Sequence, residues 1–257
     1  MKKIYNNADD TQFIVYNQIK SNQKNTITII FLHGLMSDMH GTKALYLENY
    51  CIKAGYNFIR FDNFGHGNSS GNFTEQTISS WIGGLEMILN QLVTDNQIVL
   101  IGSSMGGWLS LLYAIKNPHN LLGIICISAA PDFTEELIWK KLPLIQQTKM
   151  QKDGVLEVSG NCCDTKYPIS YKLVHEARNH LLLDGKTIAI DCPTHLIHGL
   201  KDLDVPYHIS VKLMEKIAGD TIVLKLVKDA DHRLARPTDL EIIANSINEI
   251  INLRGYS

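Results

Sequence analysis

No apolar run in this chain approaches the roughly 20 residues that a membrane-spanning helix needs, so a helical span is not expected. Charge is scarce too: Asp, Glu, Lys and Arg make up 19% of the residues and the net charge is −2. That balance offers no footprint for nucleic acid or an anionic membrane. Cysteine is sparse, with five residues at positions 51, 126, 162, 163 and 192. Cys51, Cys126 and Cys192 sit in or beside apolar segments and read as core thiols. Cys162-Cys163 is an adjacent pair rather than a CxxC, and no His pair lies at zinc spacing, so neither a metal site nor a disulfide framework is expected. Repeats, low-complexity tracts and a Pro- or Gly-rich linker are lacking as well. The opening residues Met1 to Asn7 hold no apolar signal core, and Asp9 and Asp10 follow closely. The expectation is a cytoplasmic chain without a secretory or transit peptide.

What is present is a chain of 257 residues, 45% apolar, long enough for a single α/β domain with a well-buried core. Apolar, β-branched runs alternate with segments of helical period. Expected strands are Phe13–Tyr16, Thr26–Leu32, Tyr56–Asp62, Gln97–Ile101, Leu121–Ile127, Pro193–His198 and Thr221–Val227. Expected helices are Thr42–Ala54, with Ala44, Leu45, Leu47 and Cys51 on one face and Gly55 as its stop, then 75–93, Trp108–Ile115, Pro206–Ala218 and a final helix. Thr238-Asp239-Leu240-Glu241 reads as a capping box for the last of these. Such alternation predicts a mostly parallel sheet with helices on both faces. From Pro131 to about Ile190 the alternation breaks, which predicts a small cap inserted over the sheet. Its stretch from Phe133 to Ile145 is apolar, with Leu137, Ile138, Lys141, Leu142 and Ile145 at helical spacing. That face suits either packing on the sheet or lining an acyl pocket.

The chemistry centres on Gly102-Ser103-Ser104-Met105-Gly106-Gly107, placed between a buried strand and a helix. Gly-x-Ser-x-Gly in that context is a nucleophile elbow, with Ser104 on a tight turn and its hydroxyl lifted clear of the sheet. Side chains at 102 and 106 would collide with the neighbouring strand and helix, and the helix amino end favours developing negative charge. A serine hydroxyl needs a base, and the base an orienting acid, in the chain order Ser, Asp or Glu, His. Asp202 follows the strand ending at His198 and is preferred as the acid; Asp204 is the other choice, or a cap for the helix opened by Pro206. His232 lies in the loop after the last strand and is the expected base. His33, His66, His195 and His198 fit structural roles in turns. Met105 and Leu35 are the expected backbone donors to the oxyanion. No cofactor or metal is required.

The strings Phe31-x-His33-Gly34-Leu35-x-Ser37-x-Met39-x-Gly41-Thr42-Lys43-Ala44-Leu45, Ile59-Arg60-Phe61-Asp62-x-x-Gly65-x-Gly67-x-Ser69, Gly102-Ser103-Ser104-x-Gly106-Gly107-Trp108, His198-Gly199-x-Lys201-Asp202 and Asp231-His232-Arg233 together resemble one family. It is the α/β-hydrolase group of the mitochondrial palmitoyl-protein thioesterase, also an acyl-glucuronide esterase, and its bacterial relatives. The resemblance runs from about residue 26 to the last helix, and its most particular string is Met39-x-Gly41-Thr42-Lys43. It implies an α/β-hydrolase fold, Ser104, Asp202 and His232 as the triad, and esterase or thioesterase activity on a small-molecule ester or an S-acylated protein or peptide. Rival readings are another hydrolase on this fold, such as a peptidase or a carbon–carbon bond hydrolase, or a non-catalytic ligand-binding protein.

Overall fold

The computed structural model describes residues 1–6, 9–22, 27–93, 97–119, 121–160, 166–185, 187–253 and 255. Strands β1 (Lys2–Asn6), β2 (Asp9–Ile19) and β3 (Thr28–Leu32) lead into helix α1 (Thr42–Ala54) and strand β4 (Asn57–Phe61). Helix α2 (Ile78–Leu92), strand β5 (Ile98–Ser103), helix α3 (Met105–Lys116) and strand β6 (Leu121–Ile127) follow. Between β6 and the next strand of the main sheet lie a π turn at Thr134–Ile138, helix α4 (Leu144–Asp153), strands β7 (Val155–Ser159) and β8 (Lys166–Ser170), and helix α5 (Tyr171–Ala177). Strand β9 (Thr194–Gly199), helix α6 (His208–Lys216), strand β10 (Ile222–Val227) and helix α7 (Pro237–Leu253) complete the order. Among the described residues no helix is long and apolar enough to cross a membrane.

Eight strands form one sheet in the order β1-β2-β4-β3-β5-β6-β9-β10. Pairing is antiparallel from β1 to β2 and from β2 to β4, and parallel everywhere else. β3, β5 and β6 are buried along their whole length, as strands covered on both faces must be. Alternate residues sort onto the two faces. Ile30, Leu32 and Leu100 pack with Trp81 of α2 and Trp108 of α3. Ile29, Phe31, Val99 and Ile101 pack with Leu47 of α1 and Ile243 and Ile247 of α7. The parallel sheet with helices on both faces is therefore present.

Several local expectations are corrected. Leu45 of α1 is exposed, leaving Ala44, Leu47 and Cys51 to face the core. α2 starts at Ile78 because Thr77 and Ser80 cap it reciprocally. α7 begins at Pro237, so Thr238 is not its cap; Asp239 instead accepts from the backbone N–H of Arg236 at 3.1 Å. α6 begins at His208, two residues beyond Pro206, and Asp204 does not cap it. Cys51, Cys126 and Cys192 are buried, as expected of core thiols. Thr26 and the Cys162-Cys163 pair lie outside the described residues.

The segment between β6 and β9 is tied down at both ends. Asp132, at φ 59°, accepts from the N–H groups of Leu182 and Leu183 at 2.8 and 2.7 Å. Glu176 of α5 accepts from Ile78 N at 3.0 Å, and Trp108 donates its indole N–H to the His180 carbonyl at 3.2 Å.

Candidate active site

β5 runs straight into α3, and Ser104 is the single residue between them. Its φ of 54° and ψ of −116° are a strained pair for a residue with a side chain. The surroundings hold it there. Ser104 N donates to Ile127 O at 2.8 Å, and Ser104 O accepts from Gly107 N at 3.0 Å and Ala130 N at 3.1 Å. Close packing explains the flanking glycines, neither of which has a positive φ. A Cβ on Gly102 would lie 2.2 Å from Gly106 O, and one on Gly106 would lie 2.3 Å from Leu32 O.

Asp202 and His232 come together from loops after β9 and β10, with His232 Nδ1 2.7 Å from Asp202 Oδ2. The other carboxylate oxygen accepts from the N–H groups of Asp204 and Val205 at 3.0 and 2.8 Å. A second histidine reaches the same acid: His198 Nε2 is 3.0 Å from Asp202 Oδ2 and 2.9 Å from Val205 O. Both neighbours of that nitrogen only accept, so Nε2 carries a proton, and Nδ1 lies 2.7 Å from the Ser210 hydroxyl. Burial pushes the Asp202 carboxyl up, but the hydrogen bonds from His198 and His232 outweigh it and hold the group well below the usual carboxylate range. The turn role expected of His198 thus understates it; its contact with the acid crosses the loop and leaves no mark in local spacing.

The turn after β3 lies against the serine, since a Cβ on Gly34 would be 3.2 Å from Ser104 Cβ. Two histidines shape this turn as expected. His33 Nε2 accepts from Asn63 N at 3.0 Å and His66 Nε2 from Met36 N at 3.3 Å, with the rings 4.8 Å apart. Burial lowers both pKa values, to about 3 for His66, so both rings are neutral acceptors. Buried Asp62 staples the turn further, accepting from Met39 N at 2.8 Å and Asn68 N at 2.9 Å. Arg60 adds a bond to Met39 O at 2.9 Å. Lys43, in the first turn of α1, donates to the carbonyl of Arg233, next to His232. Burial pushes the Lys43 ammonium down to about 8. Met39 and Lys43, from the string singled out in the sequence, therefore brace the loops on either side of the serine.

Two cavities meet at Ser104. The first, about 370 Å³, is polar and lined by His33, Ser37, Asp38, Lys43 and Arg233. The second, about 200 Å³, is lined largely by apolar groups, among them Met105, Phe133, Leu137, Ile138, Ile169 and Val205. Leu35, Ser104, Tyr167, Asp204 and His232 border both. Asp204 thus faces the site. With Asp202 and His232 it offers ligand atoms within 4.8 Å of one another, the geometry a metal ion would need, but two of the three are already hydrogen-bonded together.

Comparison with known proteins agrees with this geometry. The family model described as serine aminopeptidase, S33, matches residues 23–239. The palmitoyl-protein thioesterase ABHD10, mitochondrial, of Homo sapiens is 33% identical over 247 residues, covering 96% of this chain and 79% of that protein. The solved mouse alpha/beta hydrolase domain-containing protein 10 superposes with a TM-score of 0.86 at 30% identity, over 98% of this chain and 99% of that one. A putative hydrolase from Agrobacterium vitis S4 superposes with a TM-score of 0.89 at 33% identity, covering 97% and 98%. The chain belongs to the serine aminopeptidase S33 family of α/β-hydrolases, in the group of the palmitoyl-protein thioesterase.

Proposed function

We propose that this chain hydrolyses carboxylic esters and thioesters through an acyl-enzyme on Ser104, with His232 as base and Asp202 as its orienting acid. The observation that carries the reading is the meeting of two unlike cavities at a strained serine bordered by the His232–Asp202 pair. In the first step Ser104 Oγ bonds to the acyl carbon while His232 takes its proton. The oxyanion draws on the N–H groups of Leu35 and Met105. The C–O or C–S bond then breaks, and His232 returns the proton to the leaving alcohol or thiol. Water attacks the acyl-enzyme with His232 again as base, releasing the acid and restoring the serine.

The apolar cavity suits the acyl chain and the polar one the leaving group. The segment between β6 and β9 supplies Phe133, Leu137 and Ile138 to the acyl side, which is the part of a cap. The substrate class is therefore an acyl ester or an S-acylated peptide or protein, with medium to long chains preferred over acetyl. Each methylene that enters adds ~0.8 kcal/mol, or up to about fourfold in kcat/KM, until the cavity is full. A second reading rests on Asp38 and Asp204, two carboxylates at the polar cavity that suit the free amine of an aminopeptidase substrate.

A fluorophosphonate probe should label the chain, and Ser104→Ala should abolish labelling and lower turnover by on the order of 10⁶ with the fold intact. Residual activity within tenfold of the parent would sink the nucleophile. A p-nitrophenyl ester series from acetate upward, with S-acyl cysteine peptides and aminoacyl p-nitroanilides alongside, tests the rest. A steady fall from acetate removes the acyl pocket, and preferred cleavage of the anilides favours the peptidase.

A further inference from the structure

α4 carries a surface feature that the acyl pocket does not absorb. The apolar stretch that begins at Phe133 divides in two. Phe133, Leu137 and Ile138 turn inward to the apolar cavity, whereas Leu144 and Ile145 point out, 78% and 79% exposed. Of the ten residues of α4, Met150 is buried, Gln147 is half-buried and the other eight are exposed. Side by side, Leu144 and Ile145 form a small exposed apolar tip.

Trp139 to Lys152 holds four lysines and neither Asp nor Glu, in a chain whose net charge is −2. Acidic residues bound this stretch, at Glu135 and Glu136 before it and Asp153 after it. Lys140 pairs with Glu136 and Lys149 with Asp153, while among the described residues Lys141 and Lys152 have no ion pair. All four lysines are exposed. Lys141 and Lys152 thus leave a small basic excess on the segment that carries the apolar tip. Such a tip inserts its aliphatic groups into the acyl boundary of a bilayer while the ammonium groups meet lipid phosphates. The partner is set by this chemistry. An acidic protein would satisfy the lysines but leave Leu144 and Ile145 in water; neutral lipid would do the reverse.

We propose that the first turn of α4 and its flanking lysines form a docking surface for an anionic lipid bilayer. α4 begins six residues after Ile138, which lines the apolar cavity. Docking is read without turnover, so it stands or falls apart from the hydrolase reading.

The test is co-sedimentation of the full chain, as the parent and as Ser104→Ala, with vesicles of phosphatidylcholine alone or mixed with phosphatidylglycerol. Both proteins should bind the mixed vesicles and hardly bind the neutral ones, with binding lost at high salt. Leu144→Ser with Ile145→Ser should lower partitioning at least tenfold. Lys141→Gln and Lys152→Gln should each lower it about fivefold. Turnover of soluble p-nitrophenyl acetate should stay within twofold in every variant except Ser104→Ala, which shows the fold intact. Absent binding, equal binding to both vesicles, or unchanged binding by the Leu144/Ile145 pair variant would overturn the proposal. So would a concentration-dependent dimer in sedimentation equilibrium that the pair variant abolishes, because a second copy would then be the occupant.

Discussion

Asp202 holds a crowded position: His232 and His198 both reach Oδ2, while Oδ1 takes two backbone N–H groups. Removing its charge should therefore do more than lose one contact. Asp202→Asn presents an amide where a carboxylate accepted a proton-bearing nitrogen, which favours the wrong His232 tautomer; turnover should fall by about 10⁴. Asp204 borders the same space, and Asp204→Asn should cost less than tenfold. Steady-state kinetics on both variants decides the matter, and the opposite ranking would move the acid to Asp204. At this scale much of the site was legible. Ser104, Asp202 and His232 stand out by order and by their place after strand ends, and the structure sets Ser104 and His232 on the same two cavities with Asp202 hydrogen-bonded to His232. His198 and Lys43 did not stand out in these roles, because their value lies in contacts that cross between loops.

Elements were legible in proportion to their burial. β3, β5, β6 and β9 are buried throughout, and their apolar runs marked them. β1 went unread because Lys-Lys-Ile-Tyr-Asn buries only Ile4 and forms the sheet's edge. β7 and β8 make a separate antiparallel pair; β7 only alternates exposed with half-buried residues and β8 does not alternate, which is too weak a pattern to separate them from loop. The helices were placed well in their interiors and less well at their starts. Pro206 suggested a helix from that point, yet its carbonyl only closes a turn to Ile209 N at 3.0 Å before α6 begins. The apolar stretch near α4 shows the limit of periodicity: it announces a face but not whether that face meets protein or solvent.

For the whole molecule, the parallel sheet follows from alternation and needs no single residue, whereas acid sensitivity depends on a few. His33 and His66 are buried neutral and accept backbone hydrogen bonds. Their folded pKa values lie below the unfolded value of ~6.5, so below that pH the unfolded chain binds more protons. Their contribution to stability is complete above ~6.5 and is lost as the pH falls toward the folded values, about 3 for His66. Each such group steepens the loss by up to ~1.4 kcal/mol per pH unit within its window. Urea titrations between pH 7 and pH 4 should show falling stability, with a shallower slope in His66→Gln. A parent and variant with equal slopes would show that His66 is not the source.

The meeting of the two cavities at one serine has a kinetic consequence. In the proposed acyl-enzyme, once the first product leaves, the acyl group stays in the apolar chamber and the polar chamber stands open to solvent beside His232. Whatever small hydroxyl compound diffuses in there competes with water for the acyl group. Transfer to an acceptor is then as available as hydrolysis, and the division between them reports the occupancy of the vacated chamber. With methanol or glycerol present, new ester should accumulate in proportion to alcohol concentration while release of the first product is unchanged below saturation. Free acid as the sole product at every alcohol concentration would mean that the chamber admits water alone.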